Sequence, residues 1–553
     1  MNAFKRVSAE VLYVAVVLAD LYVGIKRALR QRRLNKQSVA AAHDELTQAY
    51  CATNKQRYKT EGKNRQAFIL MDCFPIPVWV AANSVLANRL AERFNAEICS
   101  YGEGPRDPLT DVLYNSFGCA RHLIVAAPAQ LRKKRKQLFI QALDTLKTKK
   151  DLFNWSVDGV QIGDEVYETY LRQFSRPTAE LESFRCRYVM FVALNYYLFF
   201  SAFFVRNKVA AAVLSHDFYV SMGILSKIAW KQGIPVYLAN GHDMKKTMRP
   251  DEKYAEFSRY REYFATLNPA ERQAGIAWGK AQLEQRLGGV VGVNMAYSTK
   301  SAYTSELIAR QTAPSEKIKI VIATHCFFDN PRCYGGMLFT DFYEWISFLG
   351  QISEETDYEW YIKTHRDFLP GTMEAVTQLA AKYPKLKVID PNTTWHQLRD
   401  EGVSVALTSY GSIGHELPLV GYKVINAGYN PHIAYRFNWH AQSVEEYREM
   451  LLGIDHLGPI QELESVYEFY FVHHQLARLG GFLFDSCEEM AKYVANDVHS
   501  TRIFDRVLSG GAAFQAKAEK SVDTYLDSGA FSEAEMILLG PNKQLGAQAA
   551  RVL

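Results

Sequence analysis

Two short stretches of the 553-residue chain gather side chains that can grip an anion. In "YIKTHRD", Lys363 and His365 stand two positions apart at the end of an apolar run, so on a strand they project the same way. A cation and an imidazole so placed can hold phosphate oxygens. In "ALTSYGSIGHELPLVGYKVINAG", an apolar strand runs into Tyr410-Gly411-Ser412, and a helix is predicted to follow. A helix N-terminus presents unpaired N–H groups and a partial positive charge, which suits a diphosphate. Gly411 and Gly414 leave room for close approach, and Ser409 and Ser412 add hydroxyls. Glu416, one turn in, can accept two hydrogen bonds from a cis-diol such as a ribose. Pro418 lacks an N–H, so it must fall in a first turn or kink the helix. A third segment, "ATHCFFDNP", brings His325 and Asp329 to another strand end, where they could line the same place.

These segments need a scaffold that collects strand ends. From "KIKIVIATHCFFDNP" onward, short apolar strands alternate strictly with helices as far as "YKVINAG". Such alternation implies a parallel sheet covered on both faces, which binds ligands beyond the carboxyl ends of its strands. The first half shows the same grammar. "AFILM", a proline-stiffened loop, a helix and "AEICSY" form one strand–helix–strand unit, and "VAAAVLS", a helix and "IPVYLA" form another. Asp72 follows the first of these strands, His216 and Asp217 follow the third, and "NGHD" follows the fourth. The expected fold is therefore α/β, with two Rossmann-like domains, an N-terminal apolar helix and a helical C-terminal region. The expected boundaries are 1–60 for a helical membrane-surface segment, 61–300 for the first domain, 301–455 for the second and 456–553 for the helical end.

Length alone argues for more than one core. A net charge of +5 over 553 residues is too slight for a nucleic-acid binder. Eight cysteines without a CxxC pair suggest reduced structural thiols and no zinc. No metal or cofactor is expected. The apolar run "VLYVAVVLADLYVGI" is short of the roughly 20 residues that span a bilayer, is broken by Asp20, and is followed by "KRALRQRR". A helix lying on an anionic membrane surface fits this pattern, as does a helix packed on the body. A second run, "MFVALNYYLFFSAFFV", reads as a buried core helix. The basic helix "QLRKKRKQLFIQALDTLKTKK" reads as a solvated face, with a membrane-facing surface as the alternative.

The combination resembles the GT-B glycosyltransferases of bacterial surface polysaccharide synthesis, in particular the capsule-synthesis family. Those proteins carry a His motif at a strand end, a Ser/Gly-rich turn with a Glu-containing helix, and a glycine before the next strand. "KTHRD", "TSYGSIGHELPLVGYKVI" and Gly421 are the counterparts, with Arg366 and Lys423 where the family usually has other residues. "VDGVQIGDEVYETYLR" is similar to a segment of related surface-carbohydrate proteins, matched at Asp164, Tyr167 and Arg172. The resemblance covers roughly 150–450. It implies a CMP- or UDP-linked sugar donor on the second domain, with His365 and Ser412 on phosphate, Glu416 on ribose, and Lys363, Ser409 and Gly411 beside them. It implies a polysaccharide or lipid-linked acceptor on the first domain.

An inverting reaction also needs a general base there, and Asp72, Asp164, His216 and Asp217 are the candidates. No D-x-D occurs, which disfavours the metal-dependent class. The rival readings are a teichoic-acid-type polyol-phosphate transferase, a sugar-nucleotide epimerase and a non-catalytic GT-B scaffold. The expected location is cytoplasmic, peripheral on the inner membrane.

Overall fold

The computed structural model describes residues 3–58, 65–74, 76–239, 243–295, 298–306, 308–484, 489, 493 and 501–540. Asn240, Gly241 and His242 of the "NGHD" segment lie outside the described residues. The chain forms two compact units. The first is built from the chain up to Thr169, from Glu180–Lys253 and from the stretch beginning at Arg478; the second is built from Tyr170–Ala179 and Tyr254–Ala477. The expected boundary near 300 thus falls inside the second unit, and most of the expected C-terminal helical region belongs to the first.

The first unit holds a six-stranded sheet. Its strands are β1 (Ala67–Asp72), β2 (Ala96–Gly102), β3 (Arg121–Ile124), β4 (Val209–Leu214), β5 (Val236–Ala239) and β6 (Met244–Thr247), in the order β3-β2-β1-β4-β5-β6. All pairs are parallel except β5 with β6. β1 and β4 are buried almost throughout, as strands covered on both faces must be.

The second unit repeats this plan. Its strands are β7 (Lys319–Ala323), β8 (Glu359–Lys363), β9 (Leu386–Val388), β10 (Val403–Thr408), β11 (Lys423–Asn426) and β12 (Trp439–His440). Their order is β9-β8-β7-β10-β11-β12, and every pair is parallel. In both sheets the order reverses beside the first strand, and the crevice at such a reversal is where open α/β sheets bind ligands. The reversal lies between β1 and β4 in the first unit and between β7 and β10 in the second. The α/β class and the two Rossmann-like domains rest on this topology.

The apolar run at 190–205 is the buried core helix expected, within Phe184–Arg206. The N-terminal helix, α1 (Ala3–Ala42), differs from expectation. Its apolar window, Val7–Arg27, runs for 21 residues at a mean hydropathy of 1.8, so it is long enough to cross a membrane by length and composition. The shorter run counted in the sequence stopped at the first basic residue. Ala9, Tyr13 and Val16 of α1 are buried against the first unit, with the Tyr13 ring 5.7 Å from Phe139 and 5.9 Å from Phe191.

Candidate functional site

In the first unit, the residues at the strand-order reversal form a connected polar array. Asp72 ends β1 and is 5% exposed. Its Oδ2 accepts the Ser215 N–H at 3.0 Å and the Ser215 hydroxyl as well. Its Oδ1 is buried and has no hydrogen-bond partner among the described residues. Burial pushes the Asp72 carboxyl up to about 6, against the opposing effect of the Ser215 bonds. Ser215 follows β4, and its Oγ lies 3.1 Å from His216 Nδ1. The His216 ring sits among Phe218, Trp79 and Phe74, with centroids at 4.8, 5.1 and 5.7 Å. Asp217 is buried and paired with Lys253 at 3.0 Å. The next helix opens at Tyr219, a non-glycine residue held at φ 64°. That conformation costs on the order of 1 kcal/mol or more, and such strain clusters at functional sites.

Asp72, His216 and Asp217 are therefore gathered at adjoining strand ends, whereas Asp164 is elsewhere. Its Oδ2 is 2.5 Å from Lys227 Nζ, which also holds Glu165 at 2.8 Å. Burial raises the Glu165 carboxyl, and the Lys227 ammonium opposes that rise. Gly223 makes room for this cluster, since a Cβ there would lie 2.2 Å from the Glu165 carboxyl. The expected general-base role for Asp164 gives way to a structural one, because its carboxylate is committed to a buried lysine. Tyr167 is fully buried, and Arg172 lies 3.9 Å from Asp329.

In the second unit, the reversal joins His325 to Thr408. His325 Nε2 is 2.9 Å from Thr408 Oγ1, which accepts the Gly411 N–H at 3.0 Å. Phe342 and Tyr410 flank the imidazole, each with its centroid at 4.7 Å. Burial drives the His325 pKa down to about 3, helped by His365, so the ring is neutral near pH 7. Gly411 is small for the same reason. A Cβ there would fall 2.8 Å from Thr408 Oγ1 and 3.2 Å from the His325 ring. At Gly414 a Cβ would fall 2.4 Å from His432. Space that the sequence suggested for a ligand is filled by the protein's own imidazoles.

The predicted helix is a single turn, Ile413–Glu416, continued as a 3₁₀ segment, Leu417–Val420, whose first turn takes Pro418. One turn carries little macrodipole. What it offers an anion is local: the N–H groups of Ser412 and Ile413 make no hydrogen bond among the described residues. Beside them, among the described residues, Ser409 Oγ is buried without a partner and Ser412 makes no capping bond. His365 is exposed, and its Nδ1 accepts the Asp367 N–H at 3.0 Å.

Two expected donor contacts are corrected. Lys363 is 3% exposed, donates to the Pro391 carbonyl at 2.9 Å and lies 5.4 Å from the Trp395 ring centre, so it does not join His365 at the strand end. Burial lowers its pKa to about 7. Glu416 is 1% exposed; its Oε1 accepts Arg286 Nε at 2.6 Å and its Oε2 accepts the Tyr303 hydroxyl. Buried at 1% exposure and turned to Arg286 and Tyr303, the carboxylate is not presented to a ribose diol. Arg366, where the resemblance expects proline, binds the carbonyls of Ser301, Thr304 and Asn392 and fastens that loop.

Sequence reasoning missed Ser215, Arg286 and Tyr303. Ser215 stood in plain view in "LSHD", as the last residue of a predicted strand. Nothing local marked the other two, which come from outside the sheet. Among the described residues, no cluster of His, Cys, Asp or Glu could hold a metal ion.

No protein-family model matches the chain, and no curated protein matches it. Among solved structures it is similar to Thermosulfurimonas dismutans KpsC, a beta Kdo 2,4 transferase, at 11% identity, covering 47% of this chain and 79% of that one, with a TM-score of 0.29. UDP-GlcNAc 2-epimerase from Neisseria meningitidis, bound to UDP-GlcNAc, shows 10% identity over 75% of this chain and 99% of that one, at 0.23. Anabaena HepE in complex with UDP shows 10% identity over 81% and 100%, at 0.21. Superpositions this loose carry no argument about activity, and the fold assignment stands on strand order and register.

Proposed function

We propose that the protein is a metal-independent GT-B glycosyltransferase that moves a sugar from a CMP- or UDP-linked donor to a lipid-linked or growing surface polysaccharide. The observation that carries this reading is the polar set that each unit gathers at its own strand-order reversal. One presents acid–base groups, Asp72, His216 and Asp217; the other presents anion donors, Ser409, Ser412 and His365. A transferase of this class needs both kinds. The base takes the acceptor hydroxyl proton, and the donors hold the nucleotide phosphate as the glycosidic bond to it breaks.

The test is a nucleotide panel of CMP, UDP, GDP and CDP against melting temperature, followed by donor hydrolysis and transfer assays with the nucleotide that binds. A ligand at about 100 times its Kd stabilises by roughly 2.7 kcal/mol. No shift with any of the four at millimolar concentration removes the donor site. Binding without turnover of any sugar donor marks a non-catalytic scaffold instead.

A cytoplasmic location at the inner membrane surface belongs to the same proposal. Its support is the one-sided burial of α1. Val7, Val11, Val14, Leu18, Leu21, Tyr22, Ile25 and Leu29 are exposed along one stripe. The other side is held by the body, with Asp20 accepting from Tyr188 at 3.3 Å and Arg27 paired with Glu103 at 2.5 Å. An apolar outer face over a packed inner face suits a helix lying in a lipid interface. The sequence also carries Lys26, Arg30, Arg32 and Arg33 in this stretch, a composition that suits an anionic surface.

A further inference from the structure

Ser215 lies between two groups that can each accept a proton, and its own hydrogen bonds decide between them. Its N–H, at 3.0 Å, and its O–H both point to Asp72 Oδ2. A serine hydroxyl has one proton to give. Among the described residues, Met222 Sδ, at 3.3 Å, is the other acceptor within reach, and a thioether competes poorly with a carboxylate. With that proton directed at Asp72, Ser215 Oγ can only accept at its contact with His216 Nδ1, 3.1 Å away. The ring proton of neutral His216 must then sit on Nδ1, and the lone pair on Nε2. A neutral imidazole carries its proton on either nitrogen, and the hydrogen bond made by one nitrogen fixes the role of the other. Packing among Phe74, Trp79 and Phe218 on several sides keeps the ring from turning away from this bond.

We infer that Ser215 is a positioning residue: held by Asp72, it fixes the Nδ1–H tautomer of His216 and makes His216 Nε2 the general base of the first unit. This rests on the glycosyltransferase reading for the reaction, though not for the tautomer. In the transfer step the acceptor O–H bond breaks and its proton goes to His216 Nε2. The acceptor oxygen bonds to the anomeric carbon as the bond from that carbon to the donor phosphate oxygen breaks, and the electron pair leaves with the phosphate. The imidazolium keeps its Nδ1–H on Ser215, whose link to the Asp72 carboxylate spreads the new charge into the sheet. Asp217 does not compete for the role, because Lys253 already compensates its charge at 3.0 Å.

The wild-type protein labelled with ¹⁵N-histidine provides the deciding measurement. Two-bond ¹H–¹⁵N correlation spectra identify the tautomer of each neutral ring, and His216→Gln assigns the signal by its loss. The expected result is an Nδ1–H ring for His216 in wild type and in Ser215→Thr, and a mostly Nε2–H ring in Ser215→Ala. An Nε2–H ring in wild type overturns the inference, whether or not any variant folds. So does an unchanged Nδ1–H ring in a folded Ser215→Ala. On any donor and acceptor pair the protein turns over, Ser215→Ala should lower kcat at least tenfold with little change in KM, and His216→Gln about 10²–10⁴-fold. The expected tautomer together with no turnover of any nucleotide sugar leaves this inference standing and removes the glycosyltransferase reading alone.

Discussion

Arg286 and Glu416 meet at 2.6 Å in the interior of the second unit, and Tyr303 closes the remaining carboxylate oxygen from the other side. The residue that looked most like a ribose ligand is thereby the anchor of a buried ion pair. Breaking such a pair by removing one partner typically costs about 3–5 kcal/mol, because the survivor stays buried and uncompensated. Glu416→Gln should therefore lower the melting temperature of the second unit by several degrees or more, read by calorimetry. Loss of nucleotide affinity with unchanged melting would return Glu416 to the ligand site.

Lys363 makes stability depend on pH. Burial lowers its folded pKa to about 7, while the unfolded chain keeps an ordinary lysine value near 10.4. Below about pH 7 both states are protonated and the folded state bears the full cost of the buried charge. Between about 7 and 10.4 the unfolded state binds more protons, so this lysine's unfavourable contribution shrinks and stability rises with pH. Lys363→Met should flatten that rise, and the difference between the two denaturation curves should be largest below pH 7. Equal slopes for both proteins would show that the ammonium reaches water.

The proposed donor site is tested at His365 and Ser412. His365→Ala and Ser412→Ala should each weaken nucleotide binding by about 1.5–3 kcal/mol, the range for hydrogen bonds to a charged group, with melting of the free protein unchanged. Isothermal titration with the nucleotide found in the panel reads this directly. Affinity equal to wild type in both would place the phosphate elsewhere.

Turnover, once a donor is known, should survive a chelator. Activity abolished by EDTA and restored by magnesium or manganese would overturn metal independence.

The stripe on α1 predicts salt-sensitive attachment to vesicles of phosphatidylglycerol and phosphatidylcholine, since charge attraction at a surface is screened over about 8 Å at physiological ionic strength. Leu18→Glu with Leu21→Glu should abolish co-flotation, as should removal of residues 1–36. Flotation that resists both high salt and alkaline carbonate would mean that α1 spans, and a soluble dimer disrupted by the same two substitutions would mean that the stripe pairs with a second copy.

Much of the scaffold was legible because its signals are local. Apolar strands, intervening helices and the polar residues that end strands all lie within a few positions of one another, and Asp72, His216 and Asp217 were found this way. The order of strands in a sheet is not local. That β4 pairs with β1, and β10 with β7, depends on crossovers no short window contains. For the same reason Arg286 could not be matched with Glu416, 130 residues away. The glycines misled for a different reason. A missing side chain marks a close approach without saying what approaches; at Gly411 it is Thr408 with His325 beside it, and at Gly414 it is His432.

The first unit is completed by the end of the chain, and this orders its birth. The helix Arg502–Ser528 packs Ile503, Phe504, Val507, Val522 and Tyr525 into the same core as Tyr50, Val85 and Leu86. Tyr50 stacks on Phe504 at 4.2 Å, and Arg57 and Arg89 pair with Glu519 and Asp523 at 2.6 and 2.7 Å. On the ribosome, then, the first domain to begin is the last to close. Its apolar surface waits, uncovered, through the synthesis of everything from Tyr254 to Ala477, the stretch that builds most of the second unit. A nascent chain stalled anywhere in that interval carries an open core, and it is there that a folding chaperone would find its work.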